Sequence, residues 1–309
     1  MLPVSLRAFM RENEPLAERS TFKIGGAARF YAAPPGRNFV NDAILCRNYA
    51  REKDVPFFVL GGASNLCISD GGIRGVVLDS ASLSLISVKE SGGTTAAVNA
   101  QAGALNDAVA IFAQEHGLKG LEFLRGLPGS AGGAVFMNAR CFEKSISDVL
   151  ISVEYINEKD EICVIRRDCA GWGYKKSPFQ GREAIILSAS FAAEKAVNEK
   201  ERLEIKALCD AYYAARKEKG HFRHPSAGSV FKNNRAFGKS SGAIVEELNM
   251  RGKRAGGALI APWHGNFIIN AGGASCRDVM TLVDAVKDEA LKRLGFALEE
   301  EIIFAGEER

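Results

Sequence analysis

A run of glycines around one proline constrains this chain more than any other feature. Four glycines and the proline fall within eight residues: Gly126, Pro128, Gly129, Gly132 and Gly133. Because glycine lacks a Cβ, such a backbone can take positive φ angles and lie directly against a ligand. Pro128 fixes the first φ of a tight turn, and Ser130 places a hydroxyl beside bare amides, which suits phosphate oxygens. Taken alone, the run predicts either a ligand cradle or an ordinary glycine-rich loop between strands.

A second glycine turn follows directly on an apolar segment. Residues 56–60 are predicted to form a buried strand, which leads into five small residues: Gly61, Gly62, Ala63, Ser64 and Asn65. Exposed backbone donors and a polar side chain at the turn are what a phosphate-binding loop needs. No strong helix follows, so the turn does not match the Rossmann pattern, and a plain turn fits these residues equally well.

The composition excludes several classes of protein. Forty basic and 37 acidic residues leave a net charge of +3, which does not favour a nucleic-acid or anionic-membrane partner. No apolar run approaches the roughly 18 residues of a spanning helix, and the start of the chain has no signal-peptide pattern. Seven scattered cysteines without a Cys-x-x-Cys pair predict reduced thiols in a cytoplasmic protein. His221 and His224 have no third ligand near them in sequence, so no metal site is expected.

Hydrophobic periodicity predicts an alternation of strands and helices along the chain. The predicted helices are 38–53, 106–116 with Asn106 as its cap, a charged helical stretch at 193–202, 242–250, and a helix capped by Ser275 with Asp278 that ends at Gly295. The predicted strands are two within 19–34, then 56–60, 74–79, a hairpin of 83–89 and 95–101 across 91–93, 134–137, a hairpin of 150–156 and 161–166, 183–192, 228–232, 258–260, 266–270 and 301–304. The stretch 193–202 is the best candidate for a domain boundary.

Five stretches in a fixed order carry a resemblance to a known family. They are residues 21–26, 59–66, 126–134, 225–233 and 298–302. In this order and spacing they resemble the UDP-N-acetylenolpyruvoylglucosamine reductases, flavoenzymes of bacterial peptidoglycan precursor synthesis, over about residues 21–306. The chain looks like the shorter subgroup, because there is no room for an extra tyrosine-bearing loop in the last domain.

The resemblance implies an α+β fold: a two-lobed FAD-binding unit of the vanillyl-alcohol-oxidase (PCMH) type and a C-terminal α+β substrate domain. The expected division is 1–79 and 80–195 for the two lobes and 196–309 for the substrate domain. The implied cofactor-binding residues are Gly61, Gly62, Ala63, Ser64, Asn65, Gly126, Pro128, Gly129, Ser130, Gly132 and Gly133. FAD would be held non-covalently and reduced by NADPH. Hydride would then pass to the β-carbon of an enolpyruvyl UDP-sugar, and a proton would be added at the α-carbon. We expect small-molecule substrates only, no nucleic acid, no membrane insertion, and a monomer.

Three catalytic residues follow from the resemblance. Ser229 stands where the family has its proton-donating serine, and Glu301 stands where it has a glutamate for carboxylate polarisation or proton relay. Lys175 stands where the family has an arginine, so a compact ammonium replaces a planar guanidinium that can bind a carboxylate through two nitrogens. Lys176 or a residue elsewhere is the other candidate for supplying this positive charge. From the residues alone, Ser229 also fits a turn cap and Glu301 a solvated acidic patch.

The implied substrate-binding residues are Tyr174, Lys232, Asn233, His264 and Asn266. Lys232 and Asn233 would contact phosphate and uracil. His264 and Asn266 fit loop order or substrate contact, and a satisfied polar turn fits them as well.

Two other functions are also compatible with the sequence. One is a flavin-dependent oxidase of the same fold, which often holds its flavin covalently through His or Cys. Neither glycine loop contains His or Cys, although Cys67 lies just beyond the first. The other is an inactive flavin-binding paralogue, which only the lysine at position 175 supports.

Overall fold

The computed structural model describes residues 2–90 and 93–306. The strands are β1 (Met10–Pro15), β2 (Ala27–Ala32), β3 (Phe57–Leu60), β4 (Leu66–Ile68), β5 (Ile73–Asp79), β6 (Ile86–Glu90), β7 (Thr95–Gln101), β8 (Leu118–Lys119), β9 (Arg140–Cys141), β10 (Lys144–Ser145), β11 (Leu150–Ile156), β12 (Ile162–Arg166), β13 (Ile185–Lys195), β14 (Ser226–Ser229), β15 (Arg254–Ala255), β16 (Ala258–Ile260), β17 (Phe267–Asn270) and β18 (Ile303–Ala305). The α-helices are α1 (Phe39–Glu52), α2 (Asn106–Glu115), α3 (Ala131–Phe136), α4 (Ile146–Val149), α5 (Glu199–Glu218), α6 (Ser241–Glu247) and α7 (Cys276–Leu294). Within the described ranges, every helix is too short or too polar to span a lipid bilayer.

The first sheet has the strand order β1-β2-β5-β3. Strand β1 runs antiparallel to β2, whereas β2, β5 and β3 are parallel to one another. Helix α1 packs against β5 with a buried stripe of Phe39, Ala43, Cys46 and Ala50, the spacing of one helical face. Strand β3 ends at Leu60, so the turn at 61–65 begins at the carboxyl edge of this sheet.

The second sheet is antiparallel, with the order β12-β11-β13-β7-β6, and β8 also pairs with β13. Strand β13 is its long central member, and helix α3 packs against it. Apolar residues of β5, β7 and β13 belong to one hydrophobic cluster. The first two sheets therefore share a core.

The third sheet, β14-β17-β16-β15, packs with α6 and α7 over a separate cluster. That cluster also takes in Phe22, Ile24 and Cys67 from the first part of the chain. Strand β18 returns to pair in parallel with β4, which follows the turn at 61–65. The C-terminal part is thus joined to the first lobe beside the first glycine turn.

Helix α5 packs against α2 and against the short helical turn Glu122–Leu124. Its buried residues are Ile205, Cys209 and Arg216. The segment 193–202, predicted as a boundary and as helical throughout, therefore consists of the end of β13, a three-residue connection at 196–198 and the first turn of α5. The positions at which the three domains divide stay a prediction.

Most predicted elements are confirmed with shifts of a few residues at their ends. The capping box of α7 is present, with Ser275 and Asp278 exchanging side-chain and backbone hydrogen bonds, and Gly295 ends the helix at φ +76°. The two predicted hairpins are antiparallel pairs, β6 with β7 and β11 with β12. The turn predicted at 91–93 lies partly outside the described residues.

Two predictions around the glycine run are wrong. Residues 134–137, expected as a strand, belong mostly to helix α3, because an apolar run this short has no period that separates strand from helix. Asn106, expected as a cap, is the first residue of α2, and Leu105 is the N-cap. The Asn106 amide instead donates to the Pro128 carbonyl oxygen at 3.3 Å, which ties the helix to the glycine run.

Other strand predictions are wrong in position. Within 19–34 only one strand forms, β2, which begins after Gly26. The last strand begins at Ile303 rather than at Glu301, and β14 covers Ser226–Ser229 rather than 228–232. Strand β1 was not predicted. Its sequence is Met-Arg-Glu-Asn-Glu-Pro, and such charged residues are common on edge strands. They leave no alternation of apolar and polar residues by which a strand is recognised in sequence.

Candidate active site

The two glycine turns meet backbone against backbone. The Gly62 amide donates to the Ser130 hydroxyl at 3.1 Å, and the Ser64 hydroxyl donates to the Pro128 carbonyl oxygen at 3.2 Å. A Cβ placed on Gly62 would lie 2.5 Å from the Gly129 Cα, and Gly129 itself has φ +96°. Glycine is therefore required on both sides of this contact, since any side chain would push the turns apart.

The turns leave backbone donors available for a ligand. Among residues 2–90 and 93–306, no acceptor is found for the amide N–H groups of Ala63, Ser64, Asn65 and Gly133. Ala63 has φ +44°, an uncommon angle for a residue with a Cβ, and such outliers cluster at ligand sites. Successive bare amides with no side chain in front of them form a concave anion site. These residues therefore fit the diphosphate of a dinucleotide.

A cavity of about 860 Å³ opens over the turns, which is within the range of small-molecule sites. All eleven residues predicted to hold the cofactor line it: Gly61, Gly62, Ala63, Ser64, Asn65, Gly126, Pro128, Gly129, Ser130, Gly132 and Gly133. The three residues predicted to be catalytic, Lys175, Ser229 and Glu301, line the same cavity. The fold thus brings together residues from five separate stretches of the sequence.

Lys175 and Glu301 form a shielded ion pair in this cavity. The Lys175 Nζ lies 2.5 Å from the Glu301 Oε1, and each side chain is only 12% exposed. Burial raises the pKa of Glu301, while the charge and hydrogen bond of Lys175 oppose that rise. Lys175 also has φ +54°, an unfavourable backbone angle of the kind that clusters at functional sites. The pair therefore provides both a fixed cation and an acid that holds its proton more tightly than an exposed glutamate.

Ser229 lies beside this pair at the end of β14. The next residue, Val230, accepts a hydrogen bond from the Glu301 amide at 2.7 Å. The Asn65 side-chain amide donates to the Glu301 carbonyl oxygen at 3.0 Å, which connects the first glycine turn to the acid. In the described part of the chain the Ser229 hydroxyl has no hydrogen-bond partner, and a Cβ on Gly228 would meet nothing within 4 Å. Space for a substrate therefore lies next to an available hydroxyl.

Three of the residues predicted to bind substrate lie together outside the cavity lining. The Asn233 amide donates to the Tyr174 hydroxyl at 3.2 Å, and Tyr174 is 47% exposed. Lys232 forms an ion pair with Glu299. Lys232 and Asn233 follow Ser229 in sequence and Tyr174 precedes Lys175, so all three lie close along the chain to residues predicted to be catalytic. Their contact with substrate stays a prediction.

His264 and Asn266 support the segment after Ser229. The Asn266 side chain is buried, accepts from the Phe231 amide at 2.8 Å and donates to the Phe231 carbonyl oxygen at 2.8 Å. The His264 ring stacks on Phe267 with the centroids 4.3 Å apart. Of the roles considered for these two residues, this geometry supports ordering of the loop.

The cavity also has a lining that the motifs did not predict. It consists of aromatic and basic residues from the end of α5, the loop after it and β17: Tyr213, Arg216, His221, Phe222, His224 and Phe267. Arg216 is buried, and its Nε donates to the Arg125 carbonyl oxygen at 3.0 Å, beside Gly126. The density of aromatic and basic residues between 213 and 224 is the signal in the sequence that could have indicated this wall.

His221 should make the folded protein sensitive to acid. Burial, together with the nearby charges of Arg216, His264 and Lys219, lowers its pKa to about 4. Between pH 6.5 and 4 the unfolded chain binds a proton at this position and the folded chain does not, so stability falls as the pH falls. When the pH is lowered from 7 to 4.5, the unfolding free energy of His221→Gln should fall by about 1–2 kcal/mol less than that of the unaltered protein. This figure is reduced from the full effect of the pKa shift, because the side chain is partly exposed to solvent.

Urea unfolding at the two pH values measures this difference. The matched control is His116→Gln, because His116 is an exposed histidine. Identical pH dependence in His221→Gln and the unaltered protein would contradict the prediction.

Comparison with known proteins identifies the family. The model of the FAD binding domain matches residues 40–166, and that of the UDP-N-acetylenolpyruvoylglucosamine reductase C-terminal domain matches residues 220–305. A UDP-N-acetylenolpyruvoylglucosamine reductase of Treponema denticola is 40% identical, over 95% of this chain and 93% of the relative. The chain belongs to the UDP-N-acetylenolpyruvoylglucosamine reductase family. A reductase of Borreliella burgdorferi is 34% identical over 99% of both chains.

A solved structure of this reductase family agrees with the fold. The crystal structure of the reductase from Thermus caldophilus matches with a TM-score of 0.76 and 30% identity, over 96% of this chain and all of that chain. The predicted family and fold class are therefore confirmed: an α+β chain with a two-lobed FAD-binding unit of the vanillyl-alcohol-oxidase type and a C-terminal α+β domain. The roles of individual site residues stay predictions.

Proposed function

We propose that this chain is the NADPH- and FAD-dependent UDP-N-acetylmuramate dehydrogenase. It reduces the enolpyruvyl ether of UDP-N-acetylglucosamine-enolpyruvate to UDP-N-acetylmuramate in peptidoglycan precursor synthesis. One observation carries the proposal: both glycine turns, Ser229 and the Lys175–Glu301 pair line one cavity in a member of this reductase family.

The bare amides of the turn at 61–65 and of Gly133 would hold the FAD diphosphate. When bound, FAD takes hydride from NADPH and delivers hydride to the β-carbon of the enolpyruvyl group. Neither turn contains a histidine or cysteine that could attach the flavin covalently. Cys141 lines the cavity, but its thiol donates to the Phe123 carbonyl oxygen at 3.1 Å and burial raises its pKa. A protonated, hydrogen-bonded thiol is a poor nucleophile, which supports non-covalent binding.

Lys175 would stabilise the charge that develops on the substrate. Hydride addition next to a carboxylate builds enolate-like negative charge, and a fixed cation at that position lowers the barrier. An ammonium is a compact point charge with rotatable donors, so it is less well oriented than the guanidinium fork usual in the family. The contact with Glu301 restores part of the orientation, because it holds the Lys175 Nζ on one side and leaves its other protons for the substrate.

Ser229 would donate the proton to the α-carbon. A serine hydroxyl is a weak acid, so it needs a neighbouring group that can replace its proton. Glu301 is suited to that role, because its raised pKa keeps it protonated over a wider pH range than an exposed glutamate. The amide link between Glu301 and Val230 fixes the acid next to the serine.

The remaining assignments follow from the same proposal. Tyr174, Lys232 and Asn233 would contact the phosphates and uracil of the UDP-sugar. The substrates are small molecules that bacteria keep in the cytoplasm, so we place the enzyme there, as a monomer without a nucleic-acid partner.

The half-reactions test the function directly. The purified protein should be yellow, and acid precipitation should release the colour into solution. Without oxygen, NADPH should bleach the flavin, and UDP-N-acetylglucosamine-enolpyruvate should restore the colour within the same cuvette. Colour retained in the pellet would favour the oxidase, and bleaching without restoration would favour the inactive paralogue.

A further inference from the structure

Two buried thiols touch where the first lobe meets the C-terminal part. The Sγ of Cys67 on β4 lies 3.4 Å from the Sγ of Cys276, the first residue of α7. The two residues are 209 positions apart in the chain, and their exposed fractions are 0% and 1%. A disulfide requires an S–S distance of about 2.05 Å, so the sulfurs need to approach by only about 1.4 Å.

Neighbouring hydrogen bonds hold the thiols in this position. Asp70 follows β4, and its carboxylate accepts from the Cys276 amide at 2.7 Å and from the Arg277 amide at 3.1 Å. A carboxylate at the first amides of a helix is stabilising, so this contact ties the chain after Cys67 to the start of α7. Strand β4 is also paired with β18. The two backbones are therefore fixed on both sides of the sulfur contact.

The mechanism proposed above does not use this pair. Neither Cys67 nor Cys276 lines the cavity in the described part of the chain. The other cysteines differ from the pair: within the described residues no other two cysteine sulfurs are in contact. The thiol pair is thus separate from the candidate active site and lies where the first lobe contacts the C-terminal part.

We propose that Cys67 and Cys276 form an oxidation site that closes to a disulfide when the protein meets a peroxide. Hydrogen peroxide oxidises one thiol to a sulfenic acid and releases one water. The second thiol attacks the sulfenic sulfur, the S–S bond forms, and the second water leaves. The two thiols together lose two electrons and two protons, and a thiol reductant reverses the step.

The bond would join the strand that follows the turn at 61–65 to the helix that supports the third sheet. It would also stop both sulfurs at the reversible stage, before irreversible sulfinic or sulfonic acids form. Because the thiols are buried, peroxide reaches them only when the contact between β4 and the start of α7 opens locally. The reaction is therefore slow compared with that of an exposed thiol.

The experiment uses the full chain with its flavin, incubated with hydrogen peroxide, then denatured and alkylated with iodoacetamide. Peptide mapping without reductant should find one major cross-link, between the peptides that contain Cys67 and Cys276. The oxidised protein should melt roughly 5 °C higher than the reduced protein, and dithiothreitol should remove the increase, because a bond across a long loop restricts the unfolded chain.

Three variants identify the origin of the shift in Tm. Cys67→Ala and Cys276→Ala should both abolish it, whereas Cys209→Ala, which removes a buried thiol of α5, should retain it. If a variant is too unstable to purify, the peptide map of the unaltered protein still shows whether the Cys67–Cys276 cross-link forms. Oxidation of the exposed Cys169 shows that the peroxide treatment was effective. If Cys67 and Cys276 are still fully alkylated at that point, the proposal is overturned. A shift in Tm that persists in Cys276→Ala would overturn it as well.

Discussion

Ser229→Ala should leave flavin bleaching by NADPH intact and slow the oxidation of the reduced flavin by the sugar nucleotide at least ~10²-fold, the range for a positioned proton donor. The physical reason is that, in the proposed mechanism, the serine hydroxyl takes no part in reduction of the cofactor but supplies the proton at the α-carbon. The Ser229 hydroxyl has no hydrogen-bond partner among the described residues, and Gly228 beside it faces open space, so alanine should not disturb the fold.

Stopped-flow absorbance of the two half-reactions measures this effect separately for each substrate. Ser188→Ala is the matched control, because Ser188 lies on β13 and outside the cavity lining. The control should match the unaltered protein in both half-reactions. Near-normal oxidation of the reduced flavin by the sugar nucleotide in Ser229→Ala would remove this serine from the mechanism.

Lys175→Ala should slow the same oxidative half-reaction by about 10²–10³-fold, the usual cost of removing one group that stabilises developing negative charge. The loss has two sources. The substrate loses its cation, and the Glu301 carboxylate, which is 12% exposed, loses the partner 2.5 Å away. An uncompensated buried carboxylate is costly, so we also expect a lower melting temperature in this variant.

Two further variants separate Lys175 from its neighbours. Lys175→Arg keeps the charge and should recover most of the rate. Lys176→Ala removes the adjacent exposed lysine and should change neither half-reaction. Slow oxidation in Lys176→Ala together with a normal rate in Lys175→Ala would show that the neighbouring lysine carries the role.

The residues of the two glycine turns were predictable because their chemistry is local. A turn that needs bare backbone must be built from glycine, and Gly62 against Gly129 shows why, with 2.5 Å between a hypothetical Cβ and the facing Cα. The ion pair of Lys175 with Glu301 was not predictable from spacing. Lys175 and Glu301 are 126 residues apart, and only the resemblance to the family selected them before the fold brought them into contact.

The elements that were misjudged share a physical cause. Helix α3 has six residues, too few to establish a helical period, so the apolar run 134–137 could be taken for a strand. Strand β1 is a charged edge, and its pairing with β2 rather than its composition defines it. The aromatic and basic lining from Tyr213 to Phe267 arises where the loop after α5 contacts β17, through the rings of His221 and Phe267, and no motif spans that distance in sequence.

The pairing of β18 with β4 has a consequence for the order of events during synthesis. Glu301, whose carbonyl oxygen Asn65 holds, follows that residue by 236 positions, and strand β18 comes directly after it. A growing chain therefore makes the first glycine turn long before the strand and the acid that complete the nucleotide pocket. Copies truncated before residue 298 would lose the acid and the supporting strand together, and would accumulate as colourless protein.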